Sequence, residues 1–424
     1  MSSDTTHPAQ QRTPRPINRA WWLVPVLLTI AAVIYSELPG WPFKGYSGGF
    51  IDLQVYRLGI EAMRDGADMY GQLPKTTAGI GLPFIYPPFA AIALAPFALL
   101  PWGTAKILYV LASIAAVAWT LYLVARRYQP DSKQAALFVT ACALPVAMVL
   151  EPVRSTIDFG QVNLLLMVLV ATDCLLPKTR YPRGMLVGLA AAIKLTPAAF
   201  VLYFLVRKDY KAAATAAATG AVATIASFAL LPTESTRYWF GGLGNVSGLS
   251  GSAFHTNQSI QAVLARLQIT GLPFDALWLF FGALLLALVV LAMRKAADAP
   301  AIALSLNAVF TLLLSPISWS HHWVWIAPAL LAMVCQARTL PAASARGWYA
   351  TSAVVAVVFI VGPHSLLPDG EHRETAWDWW QHLVGDTYVW LAVALVVLFL
   401  VTGRRRPAGT TDTPTPLEEP VRAG

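Results

Sequence analysis

Apolar runs near the roughly 20 residues that cross a hydrocarbon core recur along this chain, punctuated by short polar segments rich in Arg and Lys. The first runs from Ala20 to Ser36, with Trp21 and Trp22 at its interface end. A polar stretch follows, in which Ile51, Val55, Leu58 and Ala62 fall on one face at helical spacing, so Asp52–Arg64 predicts a helix lying along the membrane. Phe84 to Leu100 is apolar but carries Pro87, Pro88 and Pro96, and reads as a broken or re-entrant element. Ala105–Ala125 ends at Arg126-Arg127; Ala135–Leu150 and Asn163–Leu176 flank a polar loop from Glu151 to Gln161. Met185–Val206 is interrupted by Lys194 and Pro197 with basic residues at both ends, the pattern of a helical hairpin. Ala212–Leu231, Asp275–Met293, Ala301–Leu314, Trp323–Val334, Tyr349–Val361 and Tyr388–Val401 complete the set.

The pattern predicts an all-α polytopic membrane protein with roughly ten to twelve spans by the length rule. Residues 1–18 and 403–424 read as disordered cytoplasmic ends, and 19–402 as one membrane-embedded domain. Basic clusters such as Arg126-Arg127, Lys178/Arg180/Arg183 and Arg294-Lys295 mark the inner side by the positive-inside rule. Segments 38–83, 151–162, 232–273, 315–322 and 363–386 are then outer loops, and they hold most of the unusual polar residues.

Composition agrees with this class. The chain is 57% hydrophobic and 12% charged, where a soluble domain carries about 25% charged residues. A β-barrel would show alternating strands, and that pattern is absent. The formal charge of +8 is distributed between spans rather than gathered in one patch, which argues against a nucleic-acid partner. Cys142, Cys174 and Cys335 sit in apolar runs with no metal or disulfide spacing. Arg12, Arg15 and Arg19 precede the first run without a clear cleavage site, so no cleavable leader is expected. No internal repeat appears, which weighs against an inverted-repeat transporter. Gly-rich phosphate loops in a strand–helix context are also missing, so nucleotide-driven chemistry is not expected.

The residues that could do chemistry are few. Asp52 is a carboxylate just outside the first span. It suits a general base in a partly dry pocket; the plainer alternative is a helix N-cap, and one residue could do both. Tyr86-Pro87-Pro88-Phe89 is a rigid corner that forms either a site wall or a loop end. In Glu151–Asn163, Gln161 and Asn163 could bind sugar hydroxyls, while Arg154 could hold a phosphate or pair with Glu151. Lys194 is the sharpest anomaly, because a cation in an apolar segment needs a cavity, a partner or a route to the headgroups. His255, Asn257 and Gln258 are candidate sugar or phosphate contacts or, for Asn257, a helix cap. His321-His322, flanked by Trp319 and Trp323, could meet phosphate or sugar; as chain neighbours they make a poor metal pair. Trp377 to Trp380 could stack on sugars or anchor the interface.

Several of these segments together resemble glycosyltransferase family 87, polytopic enzymes with the GT-C fold known from actinobacterial cell-envelope synthesis. The resembling residues are Asp52-Leu-Gln-Val-Tyr56, Tyr86-Pro-Pro-Phe89, Phe159-Gly-Gln-Val-Asn163, Lys194-Leu-Thr-Pro197, Asn257-Gln-Ser259 and Ser315-Pro-Ile-Ser-Trp319 with His321-His322. In order they cover the chain from Asp52 to His322. The resemblance implies an inverting α-mannosyltransferase of the plasma membrane, independent of metals and cofactors, with its site facing outside. Its implied donor is a polyprenyl-phosphate sugar, and its implied acceptor a glycolipid such as a phosphatidylinositol mannoside or lipomannan, joined by an α-1,2 linkage. Asp52 occupies the expected position of the base. Many GT-C enzymes carry paired acids there; Asp52-Leu53 supplies one. His322 is the second expected catalytic residue, and Lys194, Arg154 or the His321-His322 pair would meet the leaving phosphate. Tyr56, Tyr86, Gln161, Asn163, His255, Asn257, Gln258 and Trp319 are the other expected substrate contacts. An arabinofuranosyltransferase on the same lipid carrier and a lipid-linked-sugar flippase are the competing readings.

Overall fold

The computed structural model describes residues 17–37, 49–241, 251–370 and 372–403. The polar N-terminus to residue 16, residues 38–48, the Gly/Ser-rich 242–250, residue 371 and the tail from Arg404 lie outside the described residues. Within them the secondary structure is helical, and the only strand-like pairing is an isolated antiparallel bridge between Asn257 and Trp319. In chain order the α-helices begin with α1 (Leu23–Glu37), α2 (Ile51–Arg64), α3 (Pro88–Leu99), α4 (Trp102–Tyr128), α5 (Lys133–Val149) and α6 (Glu151–Phe159). Next come α7 (Asn163–Leu175), α8 (Met185–Ile193), α9 (Val201–Val206), α10 (Tyr210–Leu230), α11 (Pro232–Phe240) and α12 (Ile260–Arg266). The last are α13 (Leu272–Lys295), α14 (Pro300–Leu314), α15 (Ile326–Ala337), α16 (Ala342–Val361), α17 (Trp379–Gly385) and α18 (Thr387–Thr402).

Five helical stretches, Arg19–Ser36, α4, α10, α13 and α16, are long and apolar enough to cross a membrane. The pairs α5–α6 and α17–α18 meet the same standard together, bent by 69° and 70° where they join, which makes up to seven among the described residues if each pair is one span. α3, α7, Thr196–Val206 and α14 are shorter apolar helices. The chain is an all-α, multi-pass membrane protein. Helix starts are capped as sequence chemistry dictates: the side chains of Ser132, Asp209 and Ser259 accept from the backbone N–H groups of Ala135, Ala212 and Ala262 at 3.1, 3.1 and 3.2 Å. Close packing of α8 on the alanine-rich α10 depends on Gly188, where a Cβ would lie 2.3 Å from the Ala216 carbonyl oxygen.

Several local expectations change. The Glu151–Gln161 segment is not a loop: residues 151–159 form α6, which Gly160 ends with φ +75°. The expected outer loop 232–273 contains two helices, α11 and α12. Within Phe84–Leu100, only Pro88–Leu99 is helical: one helix, α3, starts on the Pro87-Pro88 corner and accommodates Pro96. Met185–Val206 breaks at Lys194-Leu195, with a 3-10 turn at Thr196–Phe200 before α9. The helix at Asp52 forms as predicted, but it buries more than the expected stripe: Leu53, Tyr56 and Ile60 enter the core with Val55.

These breaks meet at one place. Phe50, left-handed at φ +57°, opens α2. Its N–H donates to the Asp158 carbonyl at 2.9 Å, and its ring packs edge-on against Trp102 and Tyr109 at 6.3 and 6.2 Å. Gly160 lets the end of α6 press onto the same helix, since a Cβ there would lie 2.6 Å from Leu53 Cβ. The first turn of α2, and Asp52 with it, is thereby fixed against the α6–α7 junction.

Candidate active site

A cavity of about 790 Å³ opens where these elements converge. Asp52 from α2, Tyr86 from the proline corner, Gln161 after α6 and Lys194 at the α8 break line it. Trp319, His321 and His322 from the turn between α14 and α15 close the far side. Among the described lining residues, Asp52 and Lys194 are the two that carry a formal charge.

Burial raises the Asp52 carboxyl pKa to about 7, against the opposing pull of the Lys194 charge and a hydrogen bond with Gln161. Gln161 is held from behind. Tyr56 Oη donates to its Oε1 at 2.9 Å, and its Nε2 donates to Tyr86 Oη at 3.0 Å. Tyr109 Oη lies 2.8 Å from the Gln161 carbonyl oxygen and 2.9 Å from that of Thr156. Tyr56 therefore supports the site without lining the cavity.

Lys194 is placed as carefully. Its Nζ donates to Asn163 Oδ1 at 3.0 Å, lies 3.2 Å from His322 Nε2, and sits 5.7 Å from the centre of the Tyr86 ring. Burial and the Lys194 charge push the pKa of His321 down to about 3, and burial, Lys194 and His321 push that of His322 well below its usual value. A neutral His322 thus presents Nε2 as an acceptor to the ammonium. The histidine turn is pinned through its backbone: Thr156 Oγ1 and Asn163 Nδ2 donate to the His321 carbonyl at 2.6 and 2.9 Å. Glu151, buried, accepts from Ser320 Oγ at 2.8 Å and from Tyr388 Oη at 2.9 Å. The His321 ring, 5.1 Å from that of Phe159, keeps an Nε2 without a hydrogen-bond partner among the described residues, and it lines the cavity.

Asn163, like Tyr56, stands behind the lining rather than in it, and four more expected contacts are elsewhere. Arg154 does not line the cavity; it lies on α6, where its charge acts on Asp158 and Glu151. His255, Asn257 and Gln258 also lie outside the lining. His255 Nδ1 is 3.4 Å from Asp369 and 3.6 Å from Glu374. Asn257 Nδ2 donates to the Ser252 carbonyl at 3.0 Å, and Gln258 Nε2 donates to the carbonyls of His255 and Gly385 at 2.8 and 2.7 Å. Their neighbours Phe254 and Thr256 face the cavity instead, joined by Tyr238 and Trp278. The four residues Phe254 to Asn257 sit in one turn, closed by the Asn257 N–H donating to the Phe254 carbonyl at 2.8 Å; nothing in the local sequence marks which of them face the cavity, nor marks Trp278.

What the lining can do is bind an uncharged polyhydroxyl group beside one base and one cation. A carboxyl with a pKa near the working pH accepts a proton effectively, and a fixed ammonium in a dry site stabilises developing negative charge.

Comparison with known proteins places the chain among close relatives. The model of glycosyltransferase family 87 matches residues 84–316. A polyprenol-phosphate-mannose-dependent alpha-(1-2)-phosphatidylinositol mannoside mannosyltransferase of Mycolicibacterium smegmatis is 39% identical over 419 residues, 93% of this chain and 93% of that protein. The protein of the same name from Mycobacterium tuberculosis is 37% identical, covering 94% of this chain and 96% of its own. A polyprenol-phosphate-mannose-dependent alpha-(1-2)-phosphatidylinositol pentamannoside mannosyltransferase of M. smegmatis is 34% identical over 77% of this chain and 78% of its own. The crystal structure of ArnT from Cupriavidus metallidurans bound to undecaprenyl phosphate aligns over 91% of this chain and 78% of that one, at 17% identity and a TM-score of 0.39.

Proposed function

The chain belongs to glycosyltransferase family 87, and from that premise we propose that it transfers mannose from a polyprenyl-phosphate-mannose donor to a phosphatidylinositol mannoside, forming an α-1,2 linkage. The observation that carries the reading is the cavity in which Asp52 and Lys194 are the charged lining groups among the described residues. Asp52 takes the proton of the acceptor mannose 2-hydroxyl. That oxygen attacks the donor anomeric carbon from the face opposite the phosphate. The bond from the anomeric carbon to the phosphate oxygen breaks, its electron pair stays on the phosphate, and the lipid phosphate leaves.

Lys194 meets the charge that grows on the leaving phosphate. Asn163 and the neutral His322 hold its ammonium in place, so His322 acts by presenting Lys194 rather than by moving a proton. His321, whose Nε2 has no partner among the described residues, and Gln161 supply hydrogen bonds to sugar hydroxyls. No step in this scheme requires a metal or cofactor.

The site faces the extracytoplasmic side of the plasma membrane in this reading. Support comes from charge: Arg126-Arg127 end α4 and Arg294-Lys295 end α13, while the other ends of those helices bear Tyr109, bonded to Gln161, and Trp278, in the cavity wall. The basic ends belong inside by the positive-inside rule.

The test is mannose transfer by protein held in nanodiscs, with polyprenyl-phosphate-mannose or its arabinose counterpart as donor and phosphatidylinositol mannoside as acceptor. The expected result is transfer from the mannose donor alone, abolished in Asp52→Asn with expression and melting unchanged. Full transfer by that variant removes Asp52 as base; transfer from neither donor, with translocation of the lipid-linked sugar across liposomes, replaces the enzyme with a flippase.

A further inference from the structure

Away from Asp52 and Lys194, one guanidinium is as deeply buried as any side chain in the protein. Arg266, at the end of α12, is 1% exposed, and its ion pair with Asp386 at 2.5 Å is inaccessible on both sides. Such a pair is a weak source of stability, because the desolvation of two charges offsets their attraction and well-packed apolar residues often serve as well. Its use must be sought in what the guanidinium touches. Arg266 Nη1 donates to the carbonyls of Ala253 and Phe254, both at 3.1 Å, and Nη2 donates to that of Asn257 at 2.9 Å. All three acceptors belong to one loop, and a planar fork is suited to gathering several carbonyls in a fixed arrangement. Trp377 covers the group, with its ring centre 5.5 Å from the guanidinium carbon.

That loop forms part of the cavity wall. Phe254 and Thr256 line the cavity with Trp319, and Phe254 and Trp319 meet edge-on at 6.2 Å. The loop is laced to the Pro316–Trp319 turn: the N–H groups of Gly251 and Gln258 donate to the Pro316 and Ser318 carbonyls at 3.3 and 2.8 Å, and the Ser318 N–H donates to Asn257 Oδ1 at 2.9 Å. Asp386 stands at the α17–α18 junction, so the C-terminal helices reach this wall through Arg266.

We propose that Arg266, clamped by Asp386, is a positioning residue for the acceptor: it sets the uncharged aromatic wall of Phe254, Thr256 and Trp319 against which the acceptor sugar rests. The inference rests on the transfer reading for the identity of the acceptor. A wall of aromatic faces and one hydroxyl, without charge, fits a neutral sugar ring, whereas the donor phosphate has its counter-charge at Lys194.

Two variants test it in nanodiscs. Arg266→Lys keeps a charge for Asp386 but loses the fork; Arg266→Met with Asp386→Leu removes both charges together. Steady-state transfer and direct binding of phosphatidylinositol mannoside without donor are measured for each. The expected result is an acceptor KM and acceptor Kd raised roughly tenfold, the effect of 1.4 kcal/mol, with donor KM and kcat within about twofold of the parent protein. An unchanged acceptor Kd in a folded variant overturns the proposal. So does a donor KM that rises in step with the acceptor KM, since that marks general loss of structure. If neither variant folds, the pair is a stability element and the proposal fails. A parent protein that binds the acceptor, with weaker binding in the variants, but transfers no mannose would overturn the enzyme reading and leave the positioning role standing.

Discussion

Polar side chains around Asp52 and Lys194 border an open volume, while those around Arg266 and Asp386 turn inward on the chain itself. Both regions bury amides, charges and histidines; of the inner one the sequence singled out His255, Asn257 and Gln258, but neither Arg266 nor Asp386. The difference lies in where their hydrogen-bonding capacity points. In the cavity, His321 keeps an Nε2 without a partner among the described residues, and Asp52 faces a space with room for a sugar. In the inner cluster, Arg266 and Gln258 direct donors at five backbone carbonyls, those of residues 253, 254, 257, 255 and 385. Buried polar groups that serve the backbone shape a site; those left facing a void can enter a reaction.

Substitution should separate the two. After the abolition expected for Asp52→Asn, the largest effect is expected at the cation: Lys194→Met should lower kcat by about 10²- to 10³-fold, the range for removing one preorganised charge-stabilising donor, with melting little changed. Single-turnover transfer measures it, and a loss under threefold would move the leaving-group role elsewhere. Next is Gly160→Ala. Its Cβ would press on Leu53 at 2.6 Å in a backbone held at φ +75°, and the left-handed conformation alone costs about 1–2 kcal/mol with a side chain. Displacing the first turn of α2 should cut transfer by about tenfold or more, since small misplacements of reacting groups are severe. An alanine variant with full kcat would show that this contact does not set Asp52.

The pH profile sharpens the contrast on the cavity side. Asp52 is raised to about 7 from the usual carboxylate range, and only its ionised form accepts a proton. Transfer should therefore fall as pH drops through about 7, approaching tenfold per unit below it for one ionisation. The limb is read in the pH dependence of kcat/KM, and a profile flat across pH 7 would remove Asp52 as the base. The smallest catalytic effect belongs to the inner cluster. Gln258→Met leaves two buried carbonyls unpaired and should reduce stability by about 1–3 kcal/mol, read as a lower melting temperature. Donor KM and kcat per folded molecule should stay within about twofold, and a collapse of kcat without a change in melting would place Gln258 in the reaction after all.

Much of this architecture was legible in the linear chain. Apolar run length specifies a multi-pass helical protein because unpaired backbone polar groups are intolerable in lipid. Helical spacing after Ile51 announces α2, and an isolated Lys194 in an apolar segment announces a cavity or a partner, because a buried cation needs one. Family likeness is equally a property of the sequence, since it rests on matched residues in order. Other matters were decided only by packing. The helix at Glu151–Phe159 hides in a polar stretch, because the partners of its polar side chains, Ser320 and Tyr388 for Glu151 and the His321 carbonyl for Thr156, lie far along the chain. Likewise, the assignment of Phe254 and Thr256 to the cavity, and of His255, Asn257 and Gln258 to its support, depends on which way a loop faces once Arg266 gathers its carbonyls. Composition tells that a polar group must find a partner; whether that partner is the chain or a substrate is settled by the geometry of elements distant in sequence, which no local window contains.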